Sequence, residues 1–211
     1  MFKVVLLQAS TQLISTERRD YPEWHHGRSD FAVWYIEIDQ AEVIQYLGHI
    51  KNFFSDLLID SNQRQYHITL FVCGFLTPKS SHYDDDFEID TLKQQIQALN
   101  SLEIETFELE INGLDSFSSA LFLQVEDNNK ILDGIRQQLA QYSDEIAALE
   151  YCPHITLGVY NDAWQSDLVL DRIQSIAIKP FKIQVKYLTF GYYKAQILQG
   201  LLYPYHQIRL G

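Results

Sequence analysis

The chain is poor in cysteine, in positive charge and in long apolar runs, and each shortage removes a class of protein. Its 211 residues hold two cysteines, Cys73 and Cys152, too few for a disulfide framework. Lysine and arginine number 16 against 28 acidic residues, a net charge of −12. A balance this acidic argues against a long basic groove for duplex DNA or RNA, which depends on clustered positive charge. A small nucleotide or a short RNA end needs only a local positive site and survives that test. No stretch approaches the roughly 20 apolar residues of a membrane span. The run Val4-Val5-Leu6-Leu7 is too short for the core of a secretory signal. The expectation is a cytoplasmic protein with no membrane association.

What the chain does have is a repeat. His-Ile-Thr-Leu occurs at His67–Leu70 and again at His154–Leu157. Ala32–Asp39 and Ala120–Asp127 both read as strands ending in a helix-capping Asp. Asp39 precedes His67 by 28 residues (67 − 39), and Asp127 precedes His154 by 27 (154 − 127). Strand, helix and His-containing strand therefore recur at nearly one spacing, which points to an internal duplication. The repeated units are built around residues 31–76 and 119–160.

Strand geometry gives the repeat its chemical content. Alternate side chains point to opposite faces, so His67 and Thr69 share one face while Ile68 and Leu70 take the other. His154 and Thr156 repeat that split against Ile155 and Leu157. Each motif is an apolar anchor that carries an imidazole and a hydroxyl outward. One histidine is commonly structural; two in matched settings suggest a paired acid and base. Continued alternation puts Phe71 with His67 and Tyr160 with His154, where the rings could stack on a base.

These residues resemble the 2H phosphoesterase superfamily, which includes RNA 2′,3′-cyclic phosphodiesterases and the so-called 2′-5′ RNA ligases. Its signature is two His-x-Thr/Ser-x motifs, one per lobe. Gly74 after the first motif and Pro153 before the second fit the family pattern, and Gly113-Leu114-Asp115-Ser116-Phe117 is similar to a family linker. The resemblance covers roughly residues 31–195. It implies one α+β domain over residues 1–211, bilobal, with an antiparallel sheet and helices in each duplicated lobe and the active site in the cleft between them. It also implies metal-independent, cofactor-free phosphodiester hydrolysis of a 2′,3′-cyclic phosphate or a 2′-5′ linkage. His67 and His154 would be the acid–base pair, with the choice between them open, and Thr69 and Thr156 would hold phosphate oxygens. The substrate would be a small nucleotide or an RNA end, and the enzyme a monomer.

Arg64, Arg28 and Lys194 are the cations to inspect for phosphate contact, Arg64 foremost. Competing readings are a zinc site, for which two histidines are too few, and a Cys152–His154 nucleophile, whose parity Pro153 disturbs. A catalytically weak nucleotide-binding or RNA-end-binding module, and a sensor of phosphorylated ligands, are the non-enzymatic alternatives.

Apolar spacing predicts helices over 40–58, 89–100, 128–142 and from Asp162 onward. Asp39 caps the first, and Asp127 or Asn128 the third. Alternation predicts strands near 106–111, 181–187 and 197–203, with Asn112-Gly113 starting a turn. Segments 15–30 and 77–88 read as loops, the first exposing His25 and His26, the second carrying the solvated acidic run Asp84-Asp85-Asp86.

Overall fold

Alternating apolar and polar residues set the frame of the molecule, nine strands bonded into one curled sheet. In the computed structural model, which describes residues 6–60, 62–78, 82–148 and 150–211, they are β1 (Asp30–Glu37), β2 (His67–Thr77), β3 (Asp86–Glu88), β4 (Phe107–Ser116), β5 (Ala120–Glu126), β6 (His154–Val159), β7 (Phe181–Val185), β8 (Tyr187–Lys194) and β9 (Tyr203–Arg209). The helices among the described residues are α1 (Pro22–His25), α2 (Ala41–Phe53), α3 (Ile89–Ser101), α4 (Ile131–Leu139) and α5 (Ser166–Ser175). Val4 and Val5 of the N-terminal run, and Ser80 and Ser81 of the 77–88 segment, lie outside the described residues.

The strand order is β7-β4-β5-β6-β2-β1-β8-β9, with β3 parallel beside β2 and every other pairing antiparallel. The α+β expectation holds, but the two sheets foreseen from the repeat are continuous. Each repeat supplies the two inner strands of a half, β1 and β2 or β5 and β6. The halves meet at a single register pair, Ile68 with Ile155. Lys186 alone then separates β7, at one end of the sheet, from β8 near the other, so the chain crosses between halves there.

One face of the sheet is the core. Ile36, Ile68, Leu70, Leu121, Leu123, Ile155 and Leu157 pack with Leu47 and Ile50 of α2, Leu92 and Leu99 of α3, Leu132 and Ile135 of α4 and Val169 of α5. Fully burying such a side chain stabilises by about 1.5–3 kcal/mol. A buried polar group inside this layer is satisfied: the Gln95 side-chain oxygen accepts the Trp34 indole N–H at 2.8 Å, and its amide donates to the Leu139 carbonyl at 3.2 Å.

Helix α3 lies where the periodicity put it. Helix α2 stops at Phe53, yet Phe54 and Leu57 stay buried because the following turn packs on the same core. Asp39 does not cap it, since Gln40 occupies the N-cap without a side-chain bond. Asp127 does serve α4, its Oδ2 accepting the Leu132 N–H at 2.6 Å. Helix α5 begins at Ser166 rather than at Asp162, whose carboxylate instead closes a turn on the Ala163 N–H.

Two strand expectations are corrected. Asn112 and Gly113 lie inside β4 at a bulge, where Ile111 pairs with Val125 and Gly113 with Gln124. The segment from Ile197 is a turn, closed by the Gly200 N–H on the Ile197 carbonyl, and the last strand starts at Tyr203.

The segments read as loops are pinned. Arg28 Nη1 donates to Asp85 and Asp86, and its guanidinium lies 3.9 Å over the Phe75 ring, so two residues of the acidic run clamp one arginine while Asp84 stays exposed to solvent. Gly74 makes the clamp possible. Its φ of +111° is open to glycine, and a Cβ there would collide with the Asp85 carbonyl that accepts the Phe75 N–H. His25 is buried, its Nε2 3.0 Å from Asp20, while His26 is exposed and stacks on Tyr83. No helix among the described residues is long and apolar enough to cross a membrane.

Candidate active site

The two His-Ile-Thr-Leu motifs open β2 and β6 and show the same burial in order: half-buried His, buried Ile, half-buried Thr, buried Leu. Because Ile68 pairs with Ile155, the motifs lie side by side at the centre of the sheet. Each ring is tied the same way. His67 Nδ1 is 2.8 Å from the Gln65 carbonyl and His154 Nδ1 is 2.7 Å from the Cys152 carbonyl. A carbonyl only accepts, so both Nδ1 atoms carry the proton and Nε2 is the atom left to exchange one. The hydroxyls of Thr69 and Thr156 make no hydrogen bond among the described residues.

Immediately after each threonine the strand bulges. Tyr35 pairs with Thr69 and Trp34 with Phe71, skipping Leu70; Phe122 pairs with Thr156 and Leu121 with Gly158, skipping Leu157. Each bulge reverses the alternation beyond it. This corrects the placement of Phe71 and Tyr160: both are buried in the core, at 1% and 0% exposure, and neither ring can meet a base. Tyr160 spends its hydroxyl on Ser116 Oγ at 2.6 Å.

The aromatic groups beside the histidines are others. The His67 ring meets Tyr35 edge-on at 5.9 Å, and the His154 ring meets Phe117 and Phe122 at 5.1 and 5.2 Å. Phe117 stacks on Phe122 at 4.1 Å and is half-buried. The sequence held one signal for Phe117, its place in the Gly113–Phe117 segment. Tyr35 and Phe122 could be found only through register with the threonines.

Burial is the main influence on both imidazoles. It pushes His67 down to about 4, helped by the charges of Arg64 and His154 and opposed by the Gln65 carbonyl. It also lowers His154, opposed by the Cys152 carbonyl. Both rings therefore rest neutral near pH 7.

The three candidate cations separate sharply. Arg28 is committed to Asp85 and Asp86, and Lys194 to Asp30 at 2.5 Å. Arg64 lies flat on Tyr193 at 3.8 Å and gives its Nε–H to the Gly200 carbonyl at 3.0 Å. No carboxylate among the described residues pairs with it, and burial holds its pKa below the usual arginine value. It stands close enough to His67 to lower that ring's pKa. A desolvated guanidinium with no carboxylate partner among the described residues, close to the His67 imidazole, has the charge and donors an anion would need. Cys152 is half-buried and its thiol is pushed up by burial and by Asp115, which leaves it a poor nucleophile.

The sequence family described as the 2′-5′ RNA ligase superfamily matches residues 39–196 of the chain. The chain belongs to this superfamily. Its matched segment contains both His-x-Thr motifs, and Arg64 with them. No curated protein matches the chain in sequence. Solved structures share the superfamily fold at low identity. Escherichia coli LigT, crystallised with 3′-AMP, is similar with a TM-score of 0.60 at 14% identity, over 86% of this chain and 98% of that one. The TT0787 protein of Thermus thermophilus gives 0.57 at 12%, over 85% and 97%. A structure described as a phosphoesterase gives 0.56 at 15%, over 86% and 98%. As a member of the superfamily, the chain carries the phosphoesterase and RNA ligase-like fold nearly from end to end of these relatives.

Proposed function

We propose that the protein is a metal-independent phosphodiesterase acting on a 2′,3′-cyclic phosphate or a 2′-5′ linkage in a nucleotide or RNA end. The observation that carries this reading is the matched pair of imidazoles. Each is fixed through Nδ1, each stands beside a hydroxyl that makes no hydrogen bond among the described residues, and one adjoins Arg64, which no carboxylate among them pairs. LigT has been crystallised with 3′-AMP, NADP+ and ATP, which supports a small phosphorylated substrate here.

In the reaction, neutral Nε2 of one histidine takes a proton from water as its oxygen bonds to phosphorus. The bond from phosphorus to one ribose oxygen breaks on the opposite side. The second histidine, protonated at Nε2, gives that proton to the departing oxygen. The two rings have then exchanged states, and proton transfer through solvent resets them. Thr69, Thr156 and Arg64 face the non-bridging oxygens, where negative charge builds. Each proton transfer typically contributes about 10²–10⁴ in rate.

Phosphorus NMR of a 2′,3′-cyclic nucleotide incubated with the protein in excess chelator tests this. Conversion to a monophosphate by wild type, abolished in His67→Ala and His154→Ala, is the expected result. Turnover that survives in both variants would overturn the assignment.

A further inference from the structure

Beside His67 the sheet ends in a cavity that this mechanism leaves unused. Its volume is about 300 Å³, and Glu37, Asp39, Gln40, Thr189 and Gln207 are among its walls. At roughly 30 Å³ per water molecule, that is room for about ten waters, far more than a single hydration site. Glu37 joins the cavity to the reaction centre, because it is the register partner of His67.

The other half of the molecule supplies a control. There the register partner of His154 is Gln124, whose amide Nε2 already donates to Asp115 at 2.9 Å. Glu37 has no equivalent. Its half-buried carboxylate makes no hydrogen bond or ion pair among the described residues. Gln40 is committed as well, giving its Nε2 to the Gln184 carbonyl at 3.1 Å, with its Oε1 sealed from solvent. The Gln207 amide is already occupied on the Thr189 hydroxyl at 3.3 Å. A half-buried carboxylate left without a donor costs free energy that a ligand's N–H groups recover. Two carboxylates, Glu37 and Asp39, outnumber the one cation on the wall, Lys186, which disfavours phosphate and leaves the pocket to a different part of the substrate.

We propose that this cavity is the base subsite of the enzyme, and that Glu37 selects guanine. The inference rests on a phosphate lying between His67 and His154, as argued above. Guanine offers N1–H and the 2-amino group side by side, which matches the two oxygens of one carboxylate. Adenine and cytosine place a single amino group beside a ring acceptor. Uracil sets its lone N–H between two carbonyl oxygens, which a carboxylate repels.

Calorimetric titration of wild type and Glu37→Gln with the 3′-monophosphates of guanosine, inosine, adenosine, cytidine and uridine decides the matter. Guanosine should bind wild type at least about tenfold tighter than uridine, as expected for one charge-assisted hydrogen-bond pair. Inosine, which lacks the 2-amino group, should be weaker than guanosine with no substitution in the protein. In Glu37→Gln the preference for guanosine over uridine should collapse. Equal binding of all five, no binding of any, or a preference that persists in the variant would overturn the subsite. The reaction is judged separately: hydrolysis of cyclic phosphates without base preference rejects the subsite alone. Guanine preference without hydrolysis supports the subsite and rejects the reaction.

Discussion

His67 and His154 are held by the same atom against the same kind of acceptor, Nδ1 on the carbonyl two residues earlier in the chain. The bond fixes ring orientation and tautomer together, so each Nε2 is ready either to take a proton or, once charged, to give one. Replacing either ring with alanine should lower kcat/KM by at least about 10²–10⁴. The double variant should lose little more than the worse single one, because the two act as a unit. Steady-state kinetics on a cyclic nucleotide, with circular dichroism to check folding, reads both effects.

Activity should be greatest on the acidic side of neutrality. The pair needs one neutral and one protonated ring, and burial lowers both pKa values, His67 to about 4. A bell-shaped kcat/KM profile is expected, its two limbs belonging to the coupled pair and its maximum below about pH 6.5. An optimum well above pH 7 would contradict a buried pair.

The same burial makes the fold sensitive to acid. His67 binds its proton more weakly in the folded chain than in the unfolded one, so stability is full above the unfolded pKa and falls as pH drops from about 6.5 toward 4. Urea unfolding at pH 7 and pH 4.5 should show a smaller acid loss in His67→Ala than in wild type. The difference, discounted for partial exposure, is on the order of 2 kcal/mol.

Arg64 and Arg28 should behave as opposites. Arg64→Ala is expected to reduce kcat/KM by about 10²-fold with little change in stability, and lysine should restore only part of it. Arg28→Ala strands Asp85 and Asp86 and should destabilise by about 3 kcal/mol while leaving kcat near wild type. Paired kinetic and denaturant measurements on both variants separate the roles.

Gly74→Ala should be among the most damaging small substitutions in the chain. It forces a positive φ on a residue with a Cβ and drives that atom into the Asp85 carbonyl. A loss of more than about 1 kcal/mol is expected, seen as a lower urea midpoint. An unchanged midpoint would mean that the β2–β3 contact is dispensable.

The centre of the candidate site was legible because it depends on local pattern. The repeated tetrapeptide, the parity within it and the spacing from Asp39 and Asp127 all point to His67, Thr69, His154 and Thr156. Legibility stopped one residue later, at the bulges. Parity counting assumes an unbroken ladder, and Leu70 and Leu157 break it, so Phe71 and Tyr160 were assigned to the wrong face. The neighbours that do flank the rings, Tyr35, Phe117 and Phe122, come from other strands, and single-chain periodicity says nothing about cross-strand register. Among the cations, Arg64 is set apart from Arg28 by deeper burial and by having no carboxylate partner among the described residues, properties of three-dimensional placement.

Ile68 and Ile155 hold the same place in the repeat, one residue after each histidine, and they pair with each other. Like positions meet in this way on a two-fold axis, the arrangement of a symmetric homodimer. A half-length ancestor with one motif could thus have built the whole acid–base set by associating with its own copy. Within one chain the two halves are free to differ. Where one carries Arg64 three residues before its histidine, the other carries Tyr151, and Glu37 on one side answers Gln124 on the other. A symmetric pair of motifs at the centre is framed by an asymmetric rim, so the two sides of the candidate site differ in charge and in hydrogen-bonding capacity.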